Sequence, residues 1–178
     1  EAVATVERLL GGVSPDVVTM AKGLGNGYPI GAVITTQEIA ASMKGKLHYN
    51  TFGGSPAQMA AAGAVLDVYD DEKLGENAAA VGGHLLKKLR ALAERSPWVG
   101  EALGMGLMIG VELVKDKATK EPAPEAAARV LDLTKDEGLL IGKGGLLGHT
   151  LRIKPPLCIN KADADFIAST LEGALKEL

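Results

Sequence analysis

The sequence predicts a mixed protein in two parts, an α/β portion over residues 1–72 and a small α+β domain over residues 73–178. In the first part, two short β-branched segments flank a glycine-rich turn, which is typical of strands from a larger sheet because two strands cannot bury themselves alone. In the second part, the predicted order is helix, strand, helix, strand, strand, helix. That order is typical of helices packed against a small sheet.

The first part is predicted to contain two strands and short helices. The segments "PDVVTM" (15–20) and "PIGAVITT" (29–36) are short, β-branched and bounded by proline and glycine, so both predict strands. Apolar residues at helical spacing, followed by a pair of glycines, predict a helix near the start of the chain. The residues of that pattern are Val3, Val6, Leu9 and Leu10. Further helices are predicted over residues 37–44 and 58–69, with a loop over 48–56 between them.

The second part shows clearer helical periodicity. A long amphipathic helix is predicted over residues 73–95, and another is predicted to begin near Pro122 and Pro124 and to end at Gly138. The last helix is predicted to begin at Asn160, which can accept hydrogen bonds from the first free amides of the helix. Strands are predicted over 106–114, 139–145 and 150–159.

Charge and hydropathy exclude two classes of partner. The net charge is −3, and the only basic cluster is formed by Lys87, Lys88 and Arg90. Nucleic-acid binding usually requires a basic stripe, so no nucleic-acid partner is expected. No apolar run reaches the ~18 residues that a membrane span requires, so no membrane partner is expected either.

Metal and disulfide chemistry are not predicted. His48, His84 and His149 are scattered without metal-ligand spacing, and Cys158 is the only cysteine. The lone cysteine fits a reducing compartment. The expected location is the cytoplasm or the mitochondrial matrix. The chain has no starting methionine and its first residues do not resemble a secretory signal. Targeting information is therefore expected to lie outside this sequence.

One lysine stands where an apolar run breaks into glycines. In "VTMAKGLGNGYPIGAV" (18–33), Lys22 precedes Gly23, Gly25 and Gly27. A lysine amine can condense with an aldehyde to form a Schiff base, and flanking glycines let the backbone turn sharply beside a flat cofactor. The alternative is an ordinary solvated lysine. From residue type and spacing alone, both interpretations stay open.

Four blocks of the sequence resemble class III (subgroup II) pyridoxal-phosphate-dependent aminotransferases. "PDVVTMAKGLGNGYPIGAV" is similar to the lysine segment of that family, whose pattern contains A-K-G and G-Y-P. "NTFGGSPAQMAAAGAVLDV", "VGEALGMGLMIGVELV" and "LRIKPPLCI" resemble its later blocks, in the same order. The resemblance implies fold type I, with residues 1–72 as a remnant of the cofactor-binding large domain and residues 73–178 as the C-terminal small domain.

The resemblance also implies roles for three residues. Lys22 would form the internal aldimine with pyridoxal 5′-phosphate and move a proton during the reaction. Thr51 would donate to the cofactor phosphate of the neighbouring subunit in a homodimer, and Arg152 would pair with the substrate carboxylate. Among the branches, the segments look most like enzymes that transfer an amino group from alanine to glyoxylate. The implied reaction is transamination between an alanine-like amino acid and a glyoxylate- or pyruvate-like 2-oxo acid.

Some features of the family pattern differ or are missing. Leu103 stands where family members generally have an arginine, and Asn50 and Ser55 replace residues that are often glycine and asparagine. The phosphate-binding turn, the stacking aromatic ring and the aspartate of the family's N-terminal half are not in this sequence. The chain therefore resembles the C-terminal part of such an enzyme. The alternative is a catalytically inactive truncated paralogue that serves as a folded or interaction domain.

Overall fold

The structure, a computed structural model, describes Gly12 and residues 14–178. The helix predicted from Val3, Val6 and Leu9 lies outside these residues. The chain divides into two compact units, Glu1–Glu72 and Lys73–Leu178. Within the described residues, the first unit contains a two-stranded sheet and the second a five-stranded sheet.

The first unit is built around an antiparallel pair of strands. Its elements are β1 (Val17–Ala21), a single 3₁₀ turn (Lys22–Leu24), β2 (Gly31–Thr35), α1 (Gln37–Ala41) and α2 (Pro56–Asp71). The strands pair from Val17 opposite Thr35 to Ala21 opposite Gly31. Thr35 Oγ1 also donates a 2.8 Å hydrogen bond to the carbonyl oxygen of Asp16. This bond holds the strands together at the end opposite the turn that joins them. The two predicted strands are therefore confirmed.

The helices of the first unit differ in length from the prediction. Helix α1 ends at Ala41 and continues as turns rather than as helix to residue 44. Helix α2 begins at Pro56, two residues earlier than predicted, because proline suits the first helical position, where no amide donor is needed. Much of the apolar surface of this unit is exposed, including Val33 (67%) and Phe52 (82%). Two strands and two helices provide too little cover for it.

The second unit is an antiparallel sheet covered on one face by three helices. Its elements are α3 (Leu74–Arg95), β3 (Val99–Met105), β4 (Met108–Asp116), β5 (Glu121–Pro122), α4 (Pro124–Asp136), β6 (Gly142–Gly144), β7 (Thr150–Ile153) and α5 (Lys161–Lys176). The strand order is β3-β4-β7-β6, and the two-residue β5 pairs with β4.

The pleat of the sheet separates a core face from an open face. On β4, Ile109, Val111 and Leu113 are almost completely buried. Met108, the first residue of the strand, is 63% exposed. On β7, Leu151 and Ile153 are likewise buried. Because successive side chains of a strand point to opposite faces, the residues between these point away from the helices.

The helices cover the core face through aliphatic side chains at helical spacing. Leu85 and Leu89 of α3, Val130 of α4 and Leu171 of α5 are at most 1% exposed. Helix α5 begins with a capping box, in which the Asn160 side chain accepts from the Asp163 amide and the Asp163 carboxylate accepts from the Asn160 amide. The predicted start of the last helix is therefore confirmed.

The strands of the second unit differ from the prediction in several places. The sequence does not predict β3, because "VGEALGM" has two glycines and a glutamate and lacks a β-branched run. Strand β6 is limited to Gly142–Gly144. Strand β7 ends at Ile153 rather than near residue 159, because Pro155 and Pro156 have no amide to donate to a neighbouring strand.

Candidate functional site

Lys22 is the first residue of the 3₁₀ turn that joins β1 to β2. Its φ of 58° is in the left-handed region, which costs a residue with a side chain about 1–3 kcal/mol and is concentrated at functional sites. The Lys22 carbonyl accepts a 3.1 Å hydrogen bond from the Gly25 amide, which closes the turn. The residue is exposed, and its amine has no hydrogen bond or ion pair among the described residues. The amine is therefore available to a ligand.

The glycines after Lys22 serve different purposes. Gly25 is buried, and a Cβ there would overlap the Tyr28 carbonyl oxygen and lie 2.5 Å from Ile30 Cγ2. Gly27 has a φ of +108°, which side chains rarely adopt. Around Gly23, by contrast, a Cβ would meet nothing within 4 Å. The tight return from Lys22 to β2 therefore depends on Gly25 and Gly27.

Thr51 lies in the turn that precedes α2. The Asn50 side chain accepts a 3.3 Å hydrogen bond from the Phe52 amide, and the Asn50 carbonyl accepts one of 3.0 Å from the Gly53 amide. These contacts show that Asn50, one of the departures from the family pattern, shapes this turn. Thr51 itself is exposed at the turn. A hydroxyl in a tight turn, next to main-chain amides, is suited to an anion such as a phosphate.

Arg152 lies on the open face of the second unit's sheet. Its cross-strand neighbours are both glycines, Gly110 on β4 and Gly142 on β6. The residue is exposed, and in the part of the chain that the structure describes its guanidinium forms no ion pair. An unpaired guanidinium on a strand is suited to bidentate binding of a carboxylate.

A cavity of about 380 Å³ lies beside Arg152 at the β6 edge of the sheet. It is lined by residues 139–142, 152–156 and Ile167. Most of these side chains are apolar. Apolar walls strengthen the attraction between Arg152 and an anion, because they lower the local dielectric constant.

Leu103, another departure from the family pattern, belongs to the same cross-strand row as Arg152. Leu103 pairs with Gly110, and Gly110 pairs with Arg152 on its other side. Leu103 is 43% exposed on this face. Leu103 therefore places an uncharged side chain two strands away from Arg152, on the same face of the sheet, where the resemblance leads us to expect an arginine.

The clearest electrostatic cluster of the second unit lies between two helices. The Asp165 carboxylate of α5 is 2.6 Å from His84 Nε2 and 2.7 Å from Lys88 Nζ, both on α3. Hydrogen bonds from Lys88 and His84 hold the pKa of Asp165 below its ordinary value of 3.8. This cluster ties the two helices together. Among the described residues, no group of three histidine, cysteine or acidic side chains could hold a metal ion.

The three predicted site residues are divided between the two units. Lys22 and Thr51 belong to the first, and Arg152 belongs to the second. Gly144, whose missing side chain leaves room for Arg152, was not identified from the sequence. The run "GKGG" (142–145) was the only signal, and it does not reveal which glycine faces the arginine.

Comparison with known proteins identifies the family. The class-III aminotransferase family matches residues 4–175 of the chain. The chain belongs to this family. The resemblance inferred from the lysine, threonine and arginine blocks is thereby confirmed at the level of the family.

A curated relative of this class-III aminotransferase segment is also similar over nearly all of the chain. The mitochondrial alanine–glyoxylate aminotransferase 2 homolog 2 of Arabidopsis thaliana is 48% identical over 166 residues, which cover 93% of this chain and 35% of that protein. The chain therefore spans about a third of the length of that relative.

Solved structures confirm the fold-type-I architecture. A phospholyase from Arthrobacter in complex with phosphoethanolamine has a TM-score of 0.89 at 36% identity, covering 93% of this chain and 40% of that chain. An amine transaminase from an uncultivated Pseudomonas species, in the form with bound pyridoxal phosphate, has a TM-score of 0.88 at 37% identity. The match covers 96% of this chain and 40% of that chain. In the described part of the chain, no helix has the length and apolarity needed to cross a bilayer.

Proposed function

We propose that the protein containing this class-III segment catalyses pyridoxal-phosphate-dependent transamination. The substrates would be an alanine-like amino acid and a glyoxylate- or pyruvate-like 2-oxo acid. The observation that carries the proposal is the exposed amine of Lys22, on a left-handed residue at the start of a tight turn between two strands. That position coincides with the lysine of the family motif.

The residues of this chain fit pyridoxal phosphate in two places. When bound, the cofactor supplies an aldehyde that combines with amines and a ring that accepts the electrons released at the substrate α-carbon. Lys22 would hold the aldehyde carbon, because its amine has no competing partner among the described residues. Thr51 would hold the phosphate through its exposed hydroxyl.

Lys22 would also serve as the acid and base of the reaction. Lys22 Nζ would accept the proton released at the substrate α-carbon, hold it, and donate it in the next protonation step. A flexible four-carbon stem would let one amine reach both positions. The rigid turn below it fixes the point from which that stem extends, because Gly25 is packed against the Tyr28 and Ile30 segment.

Arg152 would bind the substrate carboxylate in both halves of the reaction. Amino acids and 2-oxo acids share an α-carboxylate, so one guanidinium serves donor and acceptor alike. The apolar cavity beside Arg152 provides room for a small side chain. A short substrate such as alanine or glyoxylate would suit a site whose other walls are mostly leucine, isoleucine and proline side chains, with Lys154 as the second charged residue.

We further propose that the working protein is a homodimer in the mitochondrial matrix or the cytoplasm. The exposed turn that carries Thr51 supports a role toward a neighbouring subunit. The Arabidopsis relative is named as a mitochondrial protein, which supports the matrix.

The proposal is tested by fixing the cofactor to its lysine in the protein at its full native length. After incubation with pyridoxal phosphate, borohydride reduction and mass spectrometry should place one label per chain on Lys22. Lys22→Ala should lose the label and the transfer from alanine to glyoxylate, whereas Lys46→Ala, an exposed lysine of the same unit, should lose neither. Arg152→Ala should keep the label and weaken use of both substrates by about 2–5 kcal/mol.

A different labelling pattern would contradict the proposal. Label spread over surface lysines, without transfer, would favour the catalytically inactive alternative. In the 178-residue chain alone we expect weak and unselective labelling. Release of phosphate from phosphoethanolamine, without amino transfer, would instead indicate a lyase that shares this fold.

A further inference from the structure

The side chain of Arg152 runs over a glycine of the neighbouring edge strand. A Cβ placed on Gly144 of β6 would lie 2.5 Å from Arg152 Cδ, 3.3 Å from its Cγ and 3.6 Å from its Nε. The last two carbons of the arginine stem and the first guanidinium nitrogen therefore occupy the space that a side chain at residue 144 would need. Real Cβ atoms do not approach other heavy atoms this closely, so one group would have to move.

The backbone does not explain why residue 144 is glycine. Gly145, next to it, has a φ of +78° and needs glycine for its conformation, but Gly144 is outside that region. Gly142, two residues earlier on the same strand, is the direct cross-strand neighbour of Arg152. A Cβ there would lie 3.7 Å from Arg152 Cβ, an ordinary contact. The requirement for an absent side chain is therefore specific to residue 144.

We propose that Gly144 is a positioning residue that keeps the Arg152 guanidinium at the place where it binds the substrate carboxylate. The inference rests on the proposed carboxylate role of Arg152 and goes beyond it by naming what fixes the arginine. A methyl group at residue 144 would push away the outer half of a flexible side chain, not the backbone. The strand would stay paired while the guanidinium leaves its place.

Displacement of the guanidinium should weaken anion binding without unfolding the sheet. A bidentate ion pair depends on the direction of two parallel N–H groups, and a shift of about 1 Å can cost a large part of its contribution. Little in the cavity would compensate for the lost contact between Arg152 and the carboxylate. The other charged residue of the cavity lining is Lys154, which lies on the same stretch of chain. The effect should therefore appear as weaker carboxylate binding.

The test compares Gly144→Ala with Gly142→Ala as the matched control, in the protein at its full native length. Phenylglyoxal modification of Arg152, followed by mass spectrometry, reports the environment of the guanidinium. Pyruvate is the carboxylate probe, and its protection against modification is compared with that of chloride at equal ionic strength. Gly144→Ala should change the modification rate and raise the pyruvate concentration for half-maximal protection about tenfold. Gly142→Ala should match the wild type in both measurements.

Failure of this inference and failure of the proposed function give different results. If Gly144→Ala has the same phenylglyoxal modification rate and the same pyruvate protection as the wild type, the positioning role is overturned. The carboxylate role of Arg152 would stay intact. Absence of pyruvate protection in the wild type, with an altered rate in Gly144→Ala, would support the positioning of Arg152 and contradict its carboxylate role.

A second pair of variants covers a loss of folding. If Gly144→Ala does not fold, adding Arg152→Ala should restore the fold, because the side chain that meets the new methyl group is then gone. A double variant that still fails to fold would overturn the proposal, since residue 144 would then be needed for something other than Arg152.

Discussion

Lys22 and Arg152, the two charged residues proposed to act on the substrate, both lie beside glycines that provide space rather than flexibility. Gly25 allows the turn after Lys22 to close against Tyr28, and Gly144 leaves room for the stem of Arg152. In each case the glycine has a φ outside the left-handed region. At the scale of the residue, a missing side chain therefore determines where a functional side chain can lie.

The first prediction concerns the pH dependence of the Asp165 contact. Its pKa is lowered in the folded protein, so the carboxylate stabilises the fold above its ordinary pKa of 3.8, and this contribution is lost as pH falls through the lowered value. Asp165→Asn should therefore lower the urea midpoint at pH 6. The difference from wild type should disappear in strong acid, below the lowered pKa.

Asp132→Asn is the control for this prediction. Asp132 is exposed on α4, and its carboxylate forms no ion pair among the described residues. Its replacement should leave the urea midpoint unchanged across the same pH range. A constant difference between Asp165→Asn and wild type down to strong acid would contradict the electrostatic explanation.

At the scale of the element, helix α3 is placed on the sheet by one of two adjacent glycines. Gly82 is buried against the β3–β4 hairpin, where a Cβ would overlap the carbonyl group of Gly106. Gly83 is exposed, and a Cβ there would meet nothing within 4 Å. The same substitution at two neighbouring positions therefore tests the helix–hairpin contact directly.

The second prediction is that the two alanine variants have opposite effects on stability. Gly83→Ala should raise the free energy of unfolding by about 1 kcal/mol, because alanine is the better helix former. Gly82→Ala should lower it by about 3 kcal/mol, because backbone rather than a flexible side chain would have to move. Urea unfolding followed by circular dichroism measures both. Equal effects of the two substitutions would show that α3 does not pack on Gly106 as described.

At the scale of the whole molecule, the two units differ in how much apolar surface they bury. The second has a continuous core that includes Leu85, Leu113, Leu151 and Leu171, all at most 1% exposed. In the first, Ala62 is the only buried apolar side chain among the described residues. Because burial of apolar surface is the main stabilising contribution to folding, the units should differ in stability.

The third prediction is that hydrogen exchange separates the two units in the 178-residue chain. Amides of residues 73–178 should exchange slowly, through cooperative opening of the core. Amides of residues 14–60 should exchange faster, because the two-stranded sheet exposes unpaired edges. A concentration series controls for self-association through those edges. Equal and strong protection of both segments at low concentration would contradict this prediction.

The sequence by itself determined the family and the elements with strong local signals. The A-K-G, T-F and R-I-K-P-P blocks identified Lys22, Thr51 and Arg152 as candidates, and apolar periodicity located α3 and α5. The capping box at Asn160 was readable because its hydrogen bonds join residues three apart. Local signals of this kind survive in the sequence because the interacting groups are neighbours along the chain.

Only the tertiary structure decided the features that depend on distant neighbours. Strand β3 exists because β4 pairs with it, although its own sequence has weak strand propensity. The space that Gly144 leaves for Arg152 depends on the register of β6 against β7, which brings residues eight positions apart together across the edge of a sheet. Cross-strand register is set by the packing of a whole face, so no single segment of the sequence contains it.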